Sequence, residues 1–280
     1  MKGAGRFPAP GDVRTAVLEL LAERHDGVTP QEMAGLLAAA FGRPRRWARS
    51  AVNALVAEGE LAYQEQHGHT ILTPSFDRPV RLSPRVIVAP PEIPCTPGPG
   101  TVVLRLAHGA SFGTGQHPTT RLSVRGIDAA LGEMALVDLG PESTVLDIGT
   151  GSGILAAAAL LLGVGRGIGT DIDPCALDEA RRNAALNRLA ACLSIRAAPI
   201  EEIQGRFALI TANLRYPTLR RILPAMRRLS ASRGAWVVSG IRSEEMGPLR
   251  AEYAACGLEC RWQAEEKDWA ALVVAQPPAA

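Results

Sequence analysis

A glycine-rich run between two apolar segments is the part of this sequence best suited to binding a ligand. Glycines stand at positions 149, 151 and 153, directly after the apolar segment 145–148. Glycine adopts left-handed backbone conformations without strain and lets a ligand approach the main chain closely. Asp171 ends the next apolar segment, at the spacing from which a carboxylate accepts hydrogen bonds from ribose hydroxyls. The pattern predicts a site for a cofactor that contains a nucleoside.

The residues by themselves leave two classes of nucleoside cofactor open. Residues 151–156 fit the pattern G-x-G-x-x-A of proteins that bind nicotinamide dinucleotides. Asp147 lies just ahead of the glycines, and a buried carboxylate there would repel a pyrophosphate but attract a cation. This charge argument favours S-adenosylmethionine, which carries a sulfonium and no phosphate.

The composition is that of an ordinary globular protein. Its 280 residues suffice for one large or two ordinary domains, and 47% of them are hydrophobic and 21% charged. A formal net charge of +2 gives no strong attraction to nucleic acids or membranes. The N-terminus lacks the apolar segment of a secretory signal, and the five cysteines are too scattered to indicate a zinc site. We predict a cytoplasmic protein with no bound metal and no membrane partner.

Prolines divide the sequence into two domains. Proline removes a backbone donor and disfavours helix in the residue before it, so a segment rich in proline is expected to be irregular. We therefore predict a domain at 1–75, a proline-rich linker at 76–100 and a larger domain at 101–280. Short strands are expected near 86–88 and 101–106.

The N-terminal domain shows three helical patterns followed by a hairpin. The first helix is predicted to begin after Asp12 and the third near Pro44, and Thr29 with Glu32 forms a capping box at the start of the second. Two short strands then flank a polar turn at 67–69. This arrangement resembles a winged helix-turn-helix domain.

Basic side chains line one face of the third predicted helix. Arg45, Arg49 and Asn53 follow one another at intervals of four residues, with Arg46 beside them. Such a face suits the phosphates of a nucleic acid, and it also suits an acidic protein surface. Because acidic and basic residues balance over the N-terminal domain, we favour docking to a protein and keep nucleic-acid binding as the alternative.

The C-terminal domain alternates candidate strands and helices, which is typical of a doubly wound, Rossmann-like α/β sheet. Asn213 follows one of these strands, and ligands of open α/β sheets bind at the carboxyl ends of the strands. The last two strands are expected to form a hairpin around 266–268. The predicted strands are 144–148, 167–171, 193–196, 208–212, 235–239, 258–265 and 269–275, and the predicted helices are 154–162, 174–186 and 219–229.

Five short motifs give the sequence a family resemblance. The most specific is the run from Phe112 to Thr120, Phe-Gly-Thr-Gly-Gln-His-Pro-Thr-Thr, which ordinary nucleotide-binding folds lack. Over roughly residues 103–276 the sequence resembles the PrmA family, bacterial enzymes that use S-adenosylmethionine to methylate amino groups of a large-subunit ribosomal protein. The resemblance implies a class I methyltransferase fold and decides the cofactor in favour of S-adenosylmethionine. The other four motifs are Leu146-Asp-Ile-Gly-Thr-Gly-Ser-Gly-Ile-Leu155, Asp171-Ile-Asp-Pro174, Ala212-Asn-Leu214 and Ser239-Gly-Ile241.

The resemblance also implies roles for individual residues. Thr120, Gly149, Asp171 and Asn213 are expected to contact the cofactor, and Phe112 with the glycines after it to form a flexible lid. With the residues of the glycine run, the predicted cofactor-binding set is Phe112, Thr120, Asp147, Gly149, Thr150, Gly151, Gly153, Asp171, Ile172 and Asn213.

The predicted catalytic residues are Asn213 and Tyr216. The amide of Asn213 is expected to orient the cofactor or the incoming nucleophile, and Tyr216 is a candidate general base. His117 and His108 are further candidates, although capping of the following helix is the favoured role of His117.

The function implied by the resemblance is methylation of a protein amine, either lysine or an N-terminus. The first 100 residues, roughly, do not resemble the usual substrate-recruiting domain of the family, which predicts an acceptor other than the ribosomal protein. Two alternatives stay open. One is a methyltransferase acting on a nucleic acid or a small molecule, and the other is a winged-helix regulator that only senses the cofactor.

Overall fold

The chain divides at residue 78 into two compact units, Met1–Arg78 and Pro79–Ala280. The computed structural model describes residues 13–24, 28–66, 68–107, 109 and 111–277. Three predicted features therefore fall outside the described residues, namely the helix cap Asp12, the turn residue His67 and the candidate base His108.

The first unit contains the three helices and the hairpin expected from the sequence. The capping box is present, because the amide of Glu32 donates to Thr29 Oγ1 at 3.2 Å and the amide of Thr29 donates to Glu32 Oε2 at 2.9 Å. Apolar residues from all three helices and the hairpin form one core. The winged-helix class of this unit stays a prediction. Its elements are α1 (Val13–Glu23), α2 (Pro30–Phe41), α3 (Arg45–Ala57), β1 (Leu61–Gln66) and β2 (His69–Pro74).

The second unit begins with a small sheet of three strands, β3 (Val80–Arg81), β4 (Val86–Ala89) and β5 (Val102–Arg105). Most of the predicted linker therefore belongs to the second unit. The prolines do keep 90–100 out of helices and strands. However, the guanidinium of Arg105 donates to the carbonyl oxygens of Pro90, Ile93 and Cys95. The side chain supplies donors that the prolines cannot, so the segment is bound to the strand after it.

The main sheet of the second unit has seven strands in the order β11-β12-β10-β9-β6-β7-β8. Five neighbouring strands, from β10 to β8, are parallel, and the β11–β12 hairpin adds two antiparallel strands at one edge. This arrangement confirms the predicted α/β fold. The strands are β6 (Gly140–Ile148), β7 (Val164–Thr170), β8 (Leu193–Arg196), β9 (Phe207–Asn213), β10 (Ser230–Arg242), β11 (Glu259–Glu266) and β12 (Trp269–Ala275), and the helices are α4 (Pro118–Leu131), α5 (Ile154–Leu161), α6 (Pro174–Leu186), α7 (Tyr216–Leu229) and α8 (Ser243–Ala255).

The register of the parallel strands brings their carboxyl ends together. Ile148 of β6 pairs with Thr170 of β7 on one side and with Ala212 of β9 on the other, and Asn213 pairs with Ser239 of β10. The loops after β6, β7 and β9 therefore meet at one edge of the sheet. Helix α5 leads away from this edge and is buried along almost its whole length, which holds the loop before it in place. Within the described ranges, the helices are too short or too polar to cross a bilayer.

Candidate active site

The glycine loop between β6 and α5 has the tight geometry that the sequence predicts. Gly149, Gly151 and Gly153 have φ angles of 70°, 53° and 84°, which L-residues with side chains rarely adopt. A Cβ atom on Gly151 would lie 2.5 Å from the carbonyl oxygen of Phe112. Glycine is required at position 151 both by the backbone conformation and by this close approach.

The carboxylate of Asp147 lies inside the protein and is hydrogen bonded to the glycine loop and to α5. It is fully buried. Its Oδ2 accepts hydrogen bonds from Thr150 Oγ1 at 2.7 Å and from the Ala156 amide at 3.3 Å, and its Oδ1 accepts one from Thr211 Oγ1 at 2.6 Å. Burial raises the pKa of Asp147, and the three hydrogen bonds oppose that rise. Asp147 and the Thr150 hydroxyl thus join the loop to α5 and β9, and the predicted attraction of this carboxylate for the cofactor stays a prediction.

Asp171 lies at the edge of the loop, as expected of a residue that binds ribose. Its Oδ2 accepts a hydrogen bond from the Gly151 amide at 2.9 Å, and its Oδ1 accepts from the amides of Ile172 at 2.8 Å and Asp173 at 3.1 Å. The side chain of Ile172 is 91% exposed, an unusual state for a large apolar group. A fixed carboxylate beside an uncovered apolar side chain fits the ribose and the base of a nucleoside.

The predicted lid, residues 111–117, is hydrogen bonded to the glycine loop. The Ser152 amide donates to the Phe112 carbonyl oxygen at 2.9 Å, and Ser152 Oγ donates to the Gly113 carbonyl oxygen at 2.8 Å. Gly113 and Gly115 have φ angles of 105° and 88°, so glycine is needed at both positions. The ring of Phe112 is 53% exposed. We call residues 111–117 the lid segment.

Two predicted site residues carry buried oxygens that no described group satisfies. They are Thr120 Oγ1, in the first turn of α4, and Asn213 Oδ1, at the end of β9. A buried polar atom without a partner costs about 1–3 kcal/mol, and such atoms in native proteins call for an explanation. A ligand with hydroxyl and amine groups would supply the missing partners. The two buried oxygens therefore fit S-adenosylmethionine, which carries both kinds of group.

A row of stacked side chains, which the sequence analysis missed, connects the lid segment to the start of β12. The ring of His117 lies 5.1 Å from that of Phe112 and 4.9 Å from that of Trp269, and the guanidinium of Arg242 lies 4.0 Å above Trp269. Trp269 and Arg242 lie far from the lid segment in the sequence and share no regular spacing with it, so only the tertiary fold reveals the row.

His117 caps helix α4, which confirms the favoured interpretation of this residue. Its side chain accepts a hydrogen bond from the Thr119 amide at the N-terminus of the helix. Burial, together with the nearby positive charges of Arg121 and Arg242, lowers the pKa of His117 to about 4, against a smaller opposite effect of Glu266. The imidazole is therefore neutral at pH 7.

Replacing His117 with Asn should reduce the dependence of folding stability on acidity. The pKa of His117 is about 4 in the folded state and about 6.5 unfolded, so between these values the unfolded state binds more protons. Stability conferred by neutral His117 is complete above about pH 6.5 and is lost as the pH falls toward 4. Asn keeps the helix cap without titrating. We expect Tm measured across this range to fall more for the wild type than for His117→Asn, and equal slopes would contradict the assignment.

The contacts of Tyr216 do not support its predicted role as a general base. Its hydroxyl donates to Glu252 Oε1 on α8 at 3.1 Å, and Arg220 lies 5.6 Å from its ring centre. Desolvation raises the pKa of Tyr216, and the hydrogen bond to Glu252 raises it further, so the phenol stays protonated at neutral pH. Tyr216 joins α7 to α8. Among the described residues, no group of three or more side chains is arranged to hold a metal ion.

The doubly wound sheet, the glycine loop with its acidic neighbour and the lid segment are features of the class I methyltransferase fold. The chain belongs to the PrmA family, because the family model described as Ribosomal protein L11 methyltransferase (PrmA) matches residues 71–277. This match confirms the predicted family resemblance.

Relatives and a solved structure agree with this assignment. A ribosomal protein L11 methyltransferase of Pelobacter propionicus is 41% identical over 197 residues, which cover 70% of this chain and 62% of the relative. One of Cupriavidus necator is 33% identical over 256 residues, covering 88% of this chain and 81% of the relative. The crystal structure of a ribosomal protein L11 methylase from Lactobacillus delbrueckii subsp. bulgaricus aligns with a TM-score of 0.62 and 28% identity. The alignment covers 71% of this chain and 98% of the chain in that structure.

The extent of these matches corrects the predicted extent of the family resemblance, which was residues 103–276. The family match begins at residue 71, well before the predicted start near 103, and so includes the three-stranded sheet. The match to the Cupriavidus necator relative is too long to be confined to the second unit and extends into the first. At the same time, this chain spans 62% of the length of the Pelobacter propionicus relative.

Proposed function

We propose that this chain is an S-adenosylmethionine-dependent methyltransferase whose acceptor is an amine of a protein. The observation that carries the proposal is the buried, unpartnered Oδ1 of Asn213 at the carboxyl edge of the sheet. A carboxamide oxygen in this position accepts a hydrogen bond from an amine and repels a group that offers only lone pairs. The family membership supports the same class of reaction.

The residues proposed to hold the cofactor lie around the glycine loop. Asp171 would hold the ribose, Ile172 would cover one face of the adenine, and the loop at 149–153 would hold the methionine portion. Thr120 and Asn213 would lie at the reactive end, where each has a free oxygen. The lid segment, hydrogen bonded to Ser152, would cover the site.

The chemistry requires alignment more than acid or base catalysis. Bound S-adenosylmethionine supplies a methyl group that its sulfonium already activates for transfer. The site would place the amine nitrogen in line with the methyl carbon, so that the nitrogen gains the methyl group as the carbon–sulfur bond breaks and would then release a proton to solvent. Asn213 Oδ1, as a hydrogen-bond acceptor, would direct the amine lone pair toward the methyl group. Alignment of this kind contributes about 7–11 kcal/mol.

A lysine acceptor has to lose its charge before it can attack. The pKa of free lysine is about 10.4, and burial lowers it because a charged ammonium is poorly solvated in an apolar environment. The exposed ring of Phe112, next to the neutral ring of His117, would provide such an environment above the site. The site is thus suited to an amine that becomes buried on binding.

The acceptor is best identified by transfer of label. Purified protein and tritiated S-adenosylmethionine are incubated with an extract of the host, with ribosomal protein L11 added in a parallel sample because the relatives carry that name. We expect label on amines of a protein, released by acid hydrolysis as methylated lysine or a methylated N-terminal residue. Label in nucleic acid or in a small metabolite would overturn the proposed acceptor class. No transfer and no binding of S-adenosylhomocysteine would overturn the enzyme class.

Helix α3 offers a surface for recruiting that acceptor. The side chains of Arg45, Arg46 and Arg49 are exposed, and none forms an ion pair with another described residue. The helix itself contains no acidic residue. An acidic surface of a protein acceptor is the complement to this face. We also propose that the protein acts in the cytoplasm, where such acceptors are synthesised.

The triple variant Arg45→Ala, Arg46→Ala, Arg49→Ala should weaken acceptor binding and leave the cofactor site intact. Loss of three charges at an interface should raise KM for the acceptor about tenfold at low salt, with a smaller change at high salt. Calorimetry with S-adenosylhomocysteine should give the wild-type affinity. A matched control neutralises Arg181, Arg182 and Arg188 on and after α6. An equal rise of KM in the control would contradict a specific role for α3, and loss of binding to nucleic acid alone would favour the alternative partner.

A further inference from the structure

A row of three side chains, two on helix α6 and one at its C-terminal cap, binds the chain that leads into the lid segment. Asn187 Oδ1 accepts a hydrogen bond from the Arg105 amide at 2.7 Å, and its Nδ2 donates to the Arg105 carbonyl oxygen at 2.6 Å. One helical turn earlier, Asn183 Oδ1 accepts from the Ala107 amide at 3.1 Å. One turn earlier again, Glu179 Oε2 accepts from the Ser111 amide at 3.0 Å. The side chains at 179, 183 and 187 therefore form one continuous row, the α6 row.

The spacing of the first two contacts explains why the row and the chain fit each other. Residues four apart on a helix are displaced by about 6 Å along its axis. Two residues of extended chain advance by about 6.6 Å. Arg105 and Ala107 can therefore both pair with the helix while keeping an extended backbone. Side chains at intervals of four on α6 act here as a neighbouring strand would.

Asn183 connects the row to the glycine loop. Its Nδ2 donates to the Ser152 carbonyl oxygen at 2.8 Å, while its Oδ1 holds Ala107. Ser152 in turn donates to the carbonyl oxygens of Phe112 and Gly113. One buried amide thus fixes both the loop and the chain that precedes the lid segment.

Glu179 holds the chain at a second position, and a glycine at position 109 leaves room for its carboxylate. Glu179 is buried, and its Oε1 has no hydrogen-bond partner among the described residues. A Cβ atom on Gly109 would lie about 2.1 to 2.2 Å from the carboxylate atoms of Glu179, so a side chain at position 109 would displace this carboxylate. The carboxylate is therefore in direct contact with the backbone two residues before Ser111.

We propose that Asn183 and Glu179 are positioning residues of the cofactor site. They hold the start of the lid segment against α6 and so place Phe112 over the glycine loop, which makes cofactor affinity depend on side chains that do not touch the cofactor. This inference rests on the proposed function, because it assumes that the glycine loop binds S-adenosylmethionine. It concerns the placement of the lid segment and not the identity of the acceptor.

The test uses four variants. Two remove the hydrogen bonds of Asn183 or Glu179, one keeps an acceptor at position 179, and one lies outside the α6 row. Asn183→Leu keeps the volume of the side chain but removes its hydrogen bonds to Ala107 and Ser152. Glu179→Leu removes the acceptor of the Ser111 amide, whereas Glu179→Gln keeps an acceptor oxygen. Leu189→Ala creates a cavity just after α6, outside the row, and serves as a control for loss of stability.

Three quantities are measured on each full-length variant: affinity for S-adenosylhomocysteine by calorimetry, Tm, and hydrogen exchange of peptides covering 105–117. We expect Asn183→Leu and Glu179→Leu to bind about tenfold more weakly, with faster exchange over 105–117. The affinity of Glu179→Gln for S-adenosylhomocysteine should be within about threefold of that of the wild type. Leu189→Ala should have a lower Tm and the wild-type affinity.

Wild-type affinity in both leucine variants, with a Tm loss like that of Leu189→Ala, would overturn the proposal and leave the proposed function standing. Failure of the wild type itself to bind S-adenosylhomocysteine would instead overturn the proposed function. Should Asn183→Leu not fold, the comparison of Glu179→Leu with Glu179→Gln decides the matter. Equal affinities in that pair would overturn the positioning role.

Discussion

Replacing Asp171 with Ala is expected to weaken binding of S-adenosylhomocysteine by about 100-fold or more. The carboxylate holds the Gly151 amide and is proposed to accept hydrogen bonds from the ribose, so the variant loses ligand contacts and a support of the loop together. Hydrogen bonds to a charged group contribute about 1.5–3 kcal/mol each, and two of them correspond to a factor of 100 or more. Calorimetry at constant pH and salt measures the effect.

Asp173 provides a matched control two residues away. It is exposed, and its side chain caps α6 by accepting a hydrogen bond from the Cys175 amide at 2.9 Å. Asp173→Ala should therefore lower the free energy of unfolding by about 1 kcal/mol, the usual cost of losing a cap, with affinity within about twofold of wild type. If the two variants lose affinity equally, the effect is one of net charge, and the ribose assignment of Asp171 is wrong.

The second large effect is expected for Asn213→Ala, which should lower kcat about 100-fold. The unpartnered Oδ1 of Asn213 is the group that would hold the acceptor amine in line with the methyl group. Misplacement of a reacting group by about 1 Å is enough to cause a loss of this size. Affinity for S-adenosylhomocysteine should change much less, because Asp171 and the glycine loop remain. Steady-state kinetics with the labelled acceptor, together with calorimetry, separate these two quantities.

Ser239 is a suitable control because it lies beside Asn213 on the adjacent strand. It is buried, and its hydroxyl donates to the Ala270 carbonyl oxygen at 2.8 Å, away from the proposed reaction. Ser239→Ala should reduce stability modestly and keep kcat within about threefold of wild type. If kcat for Asn213→Ala is as high as that of the control, Asn213 does not align the acceptor amine.

The elements predicted best are those with a local cause. The glycine loop follows from the φ angles that its turn requires, the α2 cap follows from Thr29 and Glu32, and strand β9 follows from its largely apolar sequence. Helix α8 was missed. It contains Gly247 and Pro248, residues that ordinarily interrupt helices, and it forms because Leu249 and Tyr253 are buried against the sheet. Tertiary packing overrode the local preference.

The predicted glycine loop and Asp171 are in contact in the structure, but the contacts of other candidate residues could not be read from the sequence. Asp147 was correctly picked out as a buried acid, but its partner Thr211 lies on a strand 64 residues away, so its role could not follow from the spacing of the motif. The row formed by His117, Trp269 and Arg242 could not be predicted for the same reason. It depends on β12 lying beside α4, and these two elements are distant in the sequence. The linker assignment failed because proline content indicates irregular backbone and not independence from the adjacent domain.

The burial of Asp147 has a consequence for how tightly the cofactor is held. The loop, α5 and β9 converge on this carboxylate through bonds that exist without any ligand, so the loop is preorganised. Fixing the backbone of a free residue costs about 1–2 kcal/mol in conformational entropy, and a preorganised loop has already lost that freedom during folding. The remaining entropic cost of binding falls on the lid segment, which lies outside any helix or strand. Affinity is therefore adjustable through the stiffness of residues 111–117, without adding a single contact to the ligand.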